Sequence, residues 1–242
     1  MGARRFFVEQ THEVGDVVPI AGSDAHKILH VLRLRGGDTI ELVDSAAQLF
    51  EATLQIDADR VAARLERVCE RGGASVVVVD VAQGVPKGQK MDFVVEKLTE
   101  LGVSSIVPLY SERTVVRDVG ASKLERWRRL ALTAAQQCGR TEVPAIADPV
   151  GFDDLLARMP SYDVVLFPWE VAEPQALRER LPGMLENARR VLVVVGPEGG
   201  FSHGEAERAR ASGAHLISLG SRILRTETAA LVTVVLIGHY CE

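Results

Sequence analysis

Aromatic side chains are scarce in this sequence: they make up 5% of its 242 residues, with two tryptophans and three tyrosines. That scarcity speaks against a β-sandwich built on Trp and Tyr anchors. Cysteine is scarcer still. Cys69, Cys138 and Cys241 are widely spaced and odd in number, no pair has zinc-ligand spacing, and a reduced, cytoplasmic setting is expected. The longest apolar run, Ala229 to Gly238, falls short of the roughly 20 residues that span a bilayer, so no membrane partner is expected. Arg4 and Arg5 are not followed by an apolar stretch of the signal-peptide kind, and no secretory leader is expected. Several chemistries are missing as well. No Gly-Lys-Ser/Thr follows a glycine-rich turn, so there is no P-loop, and no Gly-x-Gly-x-x-Gly follows an early strand. No Ser-His-Asp set or nucleophile elbow can be read. His26 and His30 stand four apart on a helical pattern, but no third ligand accompanies them, and no metal is expected.

What is present is ordinary globular material, 47% hydrophobic and 25% charged, enough for a sizeable core and against disorder. The net charge of −5 hides an uneven distribution. Residues 112–140 hold seven basic groups (Arg113, Arg117, Lys123, Arg126, Arg128, Arg129, Arg140) against three acids (Glu112, Asp118, Glu125), whereas residues 141–242 hold nine basic against fourteen acidic. A locally basic stretch on an acidic protein is either a footprint for nucleic acid or a solvated helix face.

Two styles of pattern divide the chain. Up to about Arg71 the segments are short and β-like: Phe6–Glu9, Asp38–Val43, Leu49–Ile56 and Val61–Val68, separated by turn signals such as Gly36-Gly37-Asp38. One helix is expected there, Ser23 to Leu34, capped by Ser23 or Asp24. A small barrel over residues 1–72 fits, with a boundary at Gly72-Gly73. From 73 to 242 strands alternate with helices. Ser75–Ala82, Ser105–Tyr110, Asp163–Phe167, Arg190–Val195 and Ala214–Leu219 read as strands. Met91–Leu101, Ser122–Cys138, material between Glu173 and Asn187, a capping-box helix from Ser202 and a last helix from Thr226 to about Tyr240 lie between and after them. Such alternation means a parallel sheet with helices on both faces. In the helix Ser122–Cys138 one face carries Leu124, Trp127, Ala131, Ala134, Ala135 and Cys138. The last helix is apolar nearly all round, so it is buried either against a second copy of the chain or inside one protomer.

Two segments stand out. Gly196-Pro197-Glu198-Gly199-Gly200 and Leu219-Gly220-Ser221-Arg222-Ile223-Leu224-Arg225-Thr226-Glu227-Thr228-Ala229 each follow an apolar run and lead into a helix. In open α/β sheets ligands sit in loops of this kind, beyond the carboxyl ends of the strands. Glu227 in a first helical turn is also explained by the helix dipole, and Thr226 by an N-cap. Arg225 is not, because a cation is disfavoured at that end of a helix; it points to an anion or an electron-rich substrate.

On these residues the chain resembles the RsmE family of SPOUT-class ribosomal RNA uridine-N3 methyltransferases. The likeness extends to Arg4-Arg5-Phe6-Phe7, His30-Val31-Leu32-Arg33, Glu96 to Val103, Arg126-Trp127 and Gln137-Cys138-Gly139-Arg140. It implies an α/β fold with a C-terminal SPOUT-type parallel sheet and trefoil knot behind a small N-terminal PUA-like β-barrel. It implies S-adenosylmethionine (SAM) as cofactor, a homodimer, and methylation of N3 of one uridine in 16S rRNA or the small ribosomal subunit. Phe167, Pro168, Gly196, Pro197, Glu198, Gly199, Leu219, Gly220, Ile223, Leu224 and Thr226 would hold SAM. Uracil N3 carries a proton and is a poor nucleophile while neutral, so Arg225 would stabilise the developing anion and Glu227 or Glu198 would accept the proton. Arg4, Arg5, His30, Arg33, Arg35, Arg113, Arg117, Arg126, Arg129 and Arg140 would contact RNA. Two other readings stay open: a SPOUT relative acting on another RNA, and an RNA-binding protein without chemistry.

Overall fold

The computed structural model describes residues 4–70, 77–172 and 177–241. The Gly72-Gly73 boundary, residues 75–76 of the strand expected from Ser75 and residues 173–176 of the helical stretch expected from Glu173 lie outside the described residues. Contacts group the chain into two compact units, Met1–Ala74 with Ala135–Glu142, and Ser75–Ala134 with Val143–Glu242.

In the first unit five strands form one sheet in the order β1-β3-β4-β5-β2: β1 (Arg5–Phe7), β2 (Val17–Ile20), β3 (Thr39–Val43), β4 (Leu49–Asp57) and β5 (Arg60–Val68). β1 runs parallel to β3 and the other pairs are antiparallel. The alternation of a half-buried sheet places Ile40, Leu42, Phe50, Ala52, Leu54, Ala63 and Leu65 in one core with Phe6 and Ile28. β2 escaped the sequence reading because it is a four-residue edge strand with Pro19 inside, a position where proline removes no needed donor. The helix expected over Ser23–Leu34 is also different. α1 spans Gly22–His26, with Ala21 rather than Ser23 or Asp24 at its N-cap and no side-chain cap. It widens into a π-turn over Lys27–Val31. Arg33 takes a left-handed φ of 52°, and the Leu34 N–H closes back on the Ile28 carbonyl, ending the helix before Leu34.

The second unit holds a parallel sheet in the order β12-β10-β11-β6-β7-β8, with β9 also on β7. Its strands are β6 (Val78–Gly84), β7 (Ser105–Tyr110), β8 (Ala145–Ile146), β9 (Val150–Gly151), β10 (Val164–Pro168), β11 (Arg190–Val195) and β12 (His215–Ile217). Its helices are α2 (Lys90–Glu100), α3 (Ala121–Cys138, of which the residues from Ala135 on count with the first unit), α4 (Phe152–Arg158), α5 (Leu177–Leu185), α6 (His203–Ala211) and α7 (Thr226–Cys241). Period two along β11 explains the two cores. Val191, Val193 and Val195 face the core of α2, α3, α5 and α7, while Leu192 and Val194 face that of α4 and α6. Cys138, expected on the apolar face of α3, is exposed instead, and Gln136 takes the buried place near the helix end. α7 is not covered on all sides: Ala230, Thr233, Val234 and Ile237 are buried, but Val235 is 51% exposed.

From edge strand β12 the chain returns to the centre of the sheet, where α7 packs on β11, β6 and α2. Between the central strands the backbone approach is extreme. A Cβ on Gly84, the last residue of β6, would lie 2.4 Å from the Pro197 nitrogen and 2.6 Å from the Gly196 carbonyl carbon. Neither neighbour is a flexible side-chain tip, so only glycine fits. Gly84→Ala is therefore expected to lower stability by about 1–3 kcal/mol. A urea transition with an unchanged midpoint would show that the approach imposes no constraint.

Candidate active site

β11 ends in the Gly196–Gly200 turn and β12 in the segment Ser218–Arg225, at carboxyl ends of the sheet that flank β10. The two segments share one cavity of about 730 Å3, whose lining includes Gly196, Pro197, Glu198, Gly199, Ile223, Leu224, Arg225 and Thr226. A smaller cavity of about 120 Å3 adjoins it, bordered by Trp169, Leu219 and Gly220; Pro168, Glu170, Ile223 and Leu224 border both.

The two segments are tied at their roots. Thr226 is the first residue of α7, not its N-cap. Its hydroxyl donates to the Gly196 carbonyl and accepts from Gln83 Nε2 at 2.7 Å, both buried bonds. A second tie holds the outer side of the glycine turn. Ser202 and Glu205 form the expected capping box at α6. The Glu205 carboxylate, only 5% exposed, also accepts the Glu112 N–H at 2.7 Å. Beside it Arg113 donates to the Gly199 carbonyl at 2.9 Å. Gly200 takes φ +66°, and a Cβ there would come within 2.7 Å of the Glu170 carboxylate.

The expected catalytic residues divide. Arg225 is exposed and lines the large cavity. Glu198 lines it too, but its carboxylate accepts from Lys90 Nζ at 2.7 Å and from the Lys87 N–H at 3.1 Å. Burial pushes its pKa up, yet the Lys90 hydrogen bond and the N–H groups of Glu198 and Lys87 outweigh this and hold it below the usual glutamate value. Glu227 is not part of either cavity wall, and its Oε2 is buried without a hydrogen-bond partner. Phe167 also stays out of the lining; fully buried, it backs the wall by stacking on Phe201 with ring centroids 4.3 Å apart.

Lys90, Trp169 and Glu170 are the residues that the sequence reading missed. Trp169 and Glu170 directly follow β10, so the rule that sites lie beyond strand carboxyl ends marks them. Lys90 opens α2 and carries no such signal. The lining suits a cationic, partly aromatic cofactor such as SAM. Glu170 and Glu198 offer carboxylates, Pro168, Phe201 and Leu224 offer apolar surface, and Ile223 stands 86% exposed at the opening. Trp169 Nε1 is a buried donor without a partner, bordering the smaller cavity.

The residues expected to contact RNA also divide. Arg4, His30, Arg33 and Arg35 are exposed in the first unit, as are Arg113, Arg117, Arg126 and Arg129 in the second. Arg5 is not available in that way. Its side chain is 10% exposed, bonds Glu41 at 2.8 Å and donates to the Gly139 carbonyl. Arg140 is half-buried, and burial lowers its pKa. Among the described residues no group of three or more His, Cys, Asp or Glu could hold a metal ion, and no described helix is long and apolar enough to cross a membrane.

Because the folded-state pKa of Glu198 is depressed, its contribution to stability is present above the ordinary glutamate value and is lost as the pH falls through the lower folded value. Urea unfolding should therefore separate wild type from Glu198→Gln at about pH 7 and bring them together at about pH 3. An equal gap at both would remove the Lys90 pair from the stability of this turn.

Comparison with known proteins agrees with this geometry. Residues 74–238 match the model of the RNA methyltransferase domain family. The chain is 32% identical over 251 aligned residues to the ribosomal RNA small subunit methyltransferase E of Bacillus subtilis, covering 99% of this chain and 97% of that one. Among solved structures, the ribosomal RNA small subunit methyltransferase E of Neisseria gonorrhoeae bound to SAM superposes with a TM-score of 0.88 at 30% identity, over 98% of this chain and 97% of that one. A Legionella pneumophila methyltransferase in complex with SAM gives the same TM-score at 28% identity, over 99% and 98%. The PUA-like half-barrel followed by a knotted SPOUT-type sheet is thus the fold of this chain. By sequence, by fold and by the cavity between its two late loops, the chain belongs to the ribosomal RNA small subunit methyltransferase E family.

Proposed function

We propose that this chain is a SAM-dependent methyltransferase that modifies N3 of a uridine in small-subunit (16S) rRNA. The observation that carries this is the shared cavity, where the glycine turn after β11 and the segment after β12 meet beside Arg225. SAM supplies a methyl group on a sulfonium, which needs only an aligned nucleophile. The backbone of Gly196, Leu219, Ile223 and Leu224, with Pro168 and Glu170, would hold it, and Trp169 Nε1 offers a donor in the smaller cavity.

Uracil N3 lies on the Watson–Crick edge, so the target base must be unpaired or extruded. Arg225 stabilises the negative charge that develops on a uracil carbonyl as the N3 proton leaves. For that proton Glu227 is the better acceptor. Glu198 is bonded by Lys90 and held ionised, which makes it a weak base. Glu227 Oε2 has no competing donor. Since Glu227 does not line the cavity, the transfer runs through a water.

The homodimer is part of the same reading. Val235 on α7 is 51% exposed and Phe93 on α2 is 45% exposed, and these two helices pack on each other. A second copy covering that apolar surface explains why α7 has no polar face. Exposed Arg4, Arg33 and Arg35 on the half-barrel, and Arg117 and Arg129 in the second unit, supply phosphate contacts.

Incubation with labelled SAM and unmodified small subunits or naked rRNA, followed by mapping of the methylated base, tests the assignment; a methyl group on ribose or on another base would overturn it. Arg225→Ala should lower the single-turnover rate by about 10²–10³-fold, and Glu227→Gln by about 10²–10⁴-fold. SAM affinity, measured calorimetrically, should hold in both variants. An unchanged rate in Glu227→Gln removes it as the base. Val235→Glu should shift the protein from dimer to monomer in sedimentation, and a persistent dimer would place the interface elsewhere.

A further inference from the structure

A separate cavity, of about 400 Å3, opens in the same unit as the active site. One side is the turn between β6 and α2, through Val85, Pro86 and Gln89. The other is Val119 and the first turns of α3, through Lys123, Arg126 and Trp127. Neither the cofactor nor the reacting uracil requires it.

Its chemistry is specific. The walls are apolar, with Val85, Val119 and Trp127 each less than a tenth exposed. The rim is cationic and only partly compensated. Asp92 is the one carboxylate in the lining, and it already accepts from Trp127 Nε1 at 3.0 Å and from the Arg126 guanidinium. Lys123 has no carboxylate partner among the described residues, and neither does the Gln89 amide have a hydrogen-bond partner there. Apolar walls, a free amide and a positive rim match an unpaired nucleotide. The base occupies the apolar space, the amide meets its edge, and the phosphate lies at the lysine.

Its place is equally specific. The turn 85–90 borders both cavities: Gln89 lines this one, and Lys90 lines the active site. The same turn is held to the glycine loop by Glu198, which accepts the Lys87 N–H. A nucleotide held here would therefore lie one turn of backbone away from the cavity assigned to the methyl donor.

We infer that this cavity is a subsite for one unpaired nucleotide next to the target uridine. Filling it sets the register of the RNA strand and presents the extruded base to the methyl donor. This rests on the RNA methylation proposed above.

The test uses full-length protein and a small-subunit rRNA fragment with 4-thiouridine scattered in place of uridine. Photo-cross-links are mapped by mass spectrometry. Two variants accompany it: Gln89→Trp, which fills the cavity, and Lys123→Glu, an exposed substitution that leaves packing intact. Cross-links should fall on residues 85–90 or 119–127. Each variant should raise the KM for RNA roughly tenfold or more while SAM affinity stays within about twofold. Cross-links confined elsewhere, or an unchanged KM in either folded variant, overturn the subsite. So does a change in dimer dissociation without a change in KM, which would make the cavity an interface between copies. Should wild type bind SAM but fail to methylate rRNA, the proposed reaction falls separately, and the cross-links alone decide the subsite. A protein that binds no RNA ends both.

Discussion

One hydroxyl group joins the three parts that make this site. Thr226 Oγ1 bridges the Gln83 amide at the end of β6 and the Gly196 carbonyl at the end of β11, and it stands at the first residue of α7. These bonds are buried, so water cannot replace them, and a lost partner would leave an unsatisfied polar group at a cost of about 1–3 kcal/mol. Directly beside them Gly84 lets β6 and the glycine turn touch backbone to backbone. The cavity therefore has a rigid floor, while its variable chemistry sits on side chains above it.

That floor explains how charges are distributed around the opening. Glu198 faces Lys90 and is held ionised, so the mouth keeps a fixed negative group next to a fixed positive one. Arg113 is drawn onto the Gly199 carbonyl while Glu205 anchors the chain next to it. Arg225 has no such partner among the described hydrogen bonds and ion pairs, which leaves its guanidinium available to whatever enters. The tied arginine shapes the loop, and the untied one is left for substrate.

Much of this was legible in the residues. Glycine turns after buried apolar runs marked both late loops, because a strand with no polar face has to end where the backbone meets solvent or ligand. The Ser202–Glu205 spacing gave the α6 cap for the same local reason. Long-range partners were not legible. Nothing near Arg5 in sequence announces Glu41 and Gly139, so an arginine that looked free turned out to be structural. Lys90 meets Glu198 across 108 positions. The facing of Glu227 was also hidden, since helical phase relative to a cavity depends on where α7 is pinned. The π-turn at Lys27–Val31 left no compositional trace, because it arises from closure at Arg33.

The anchoring of α7 also bears on how the protein comes into being. The cavity borrows its second wall from residues 219–226, and the pin at Thr226 needs Gln83 of β6, synthesised 143 residues earlier, as well as Gly196, 30 residues earlier. Without that late segment, β6, β7, β10 and β11 possess no second wall and no place for a methyl donor. Competence arrives abruptly, when the late segment emerges and docks, so incompletely translated copies are silent rather than partially active.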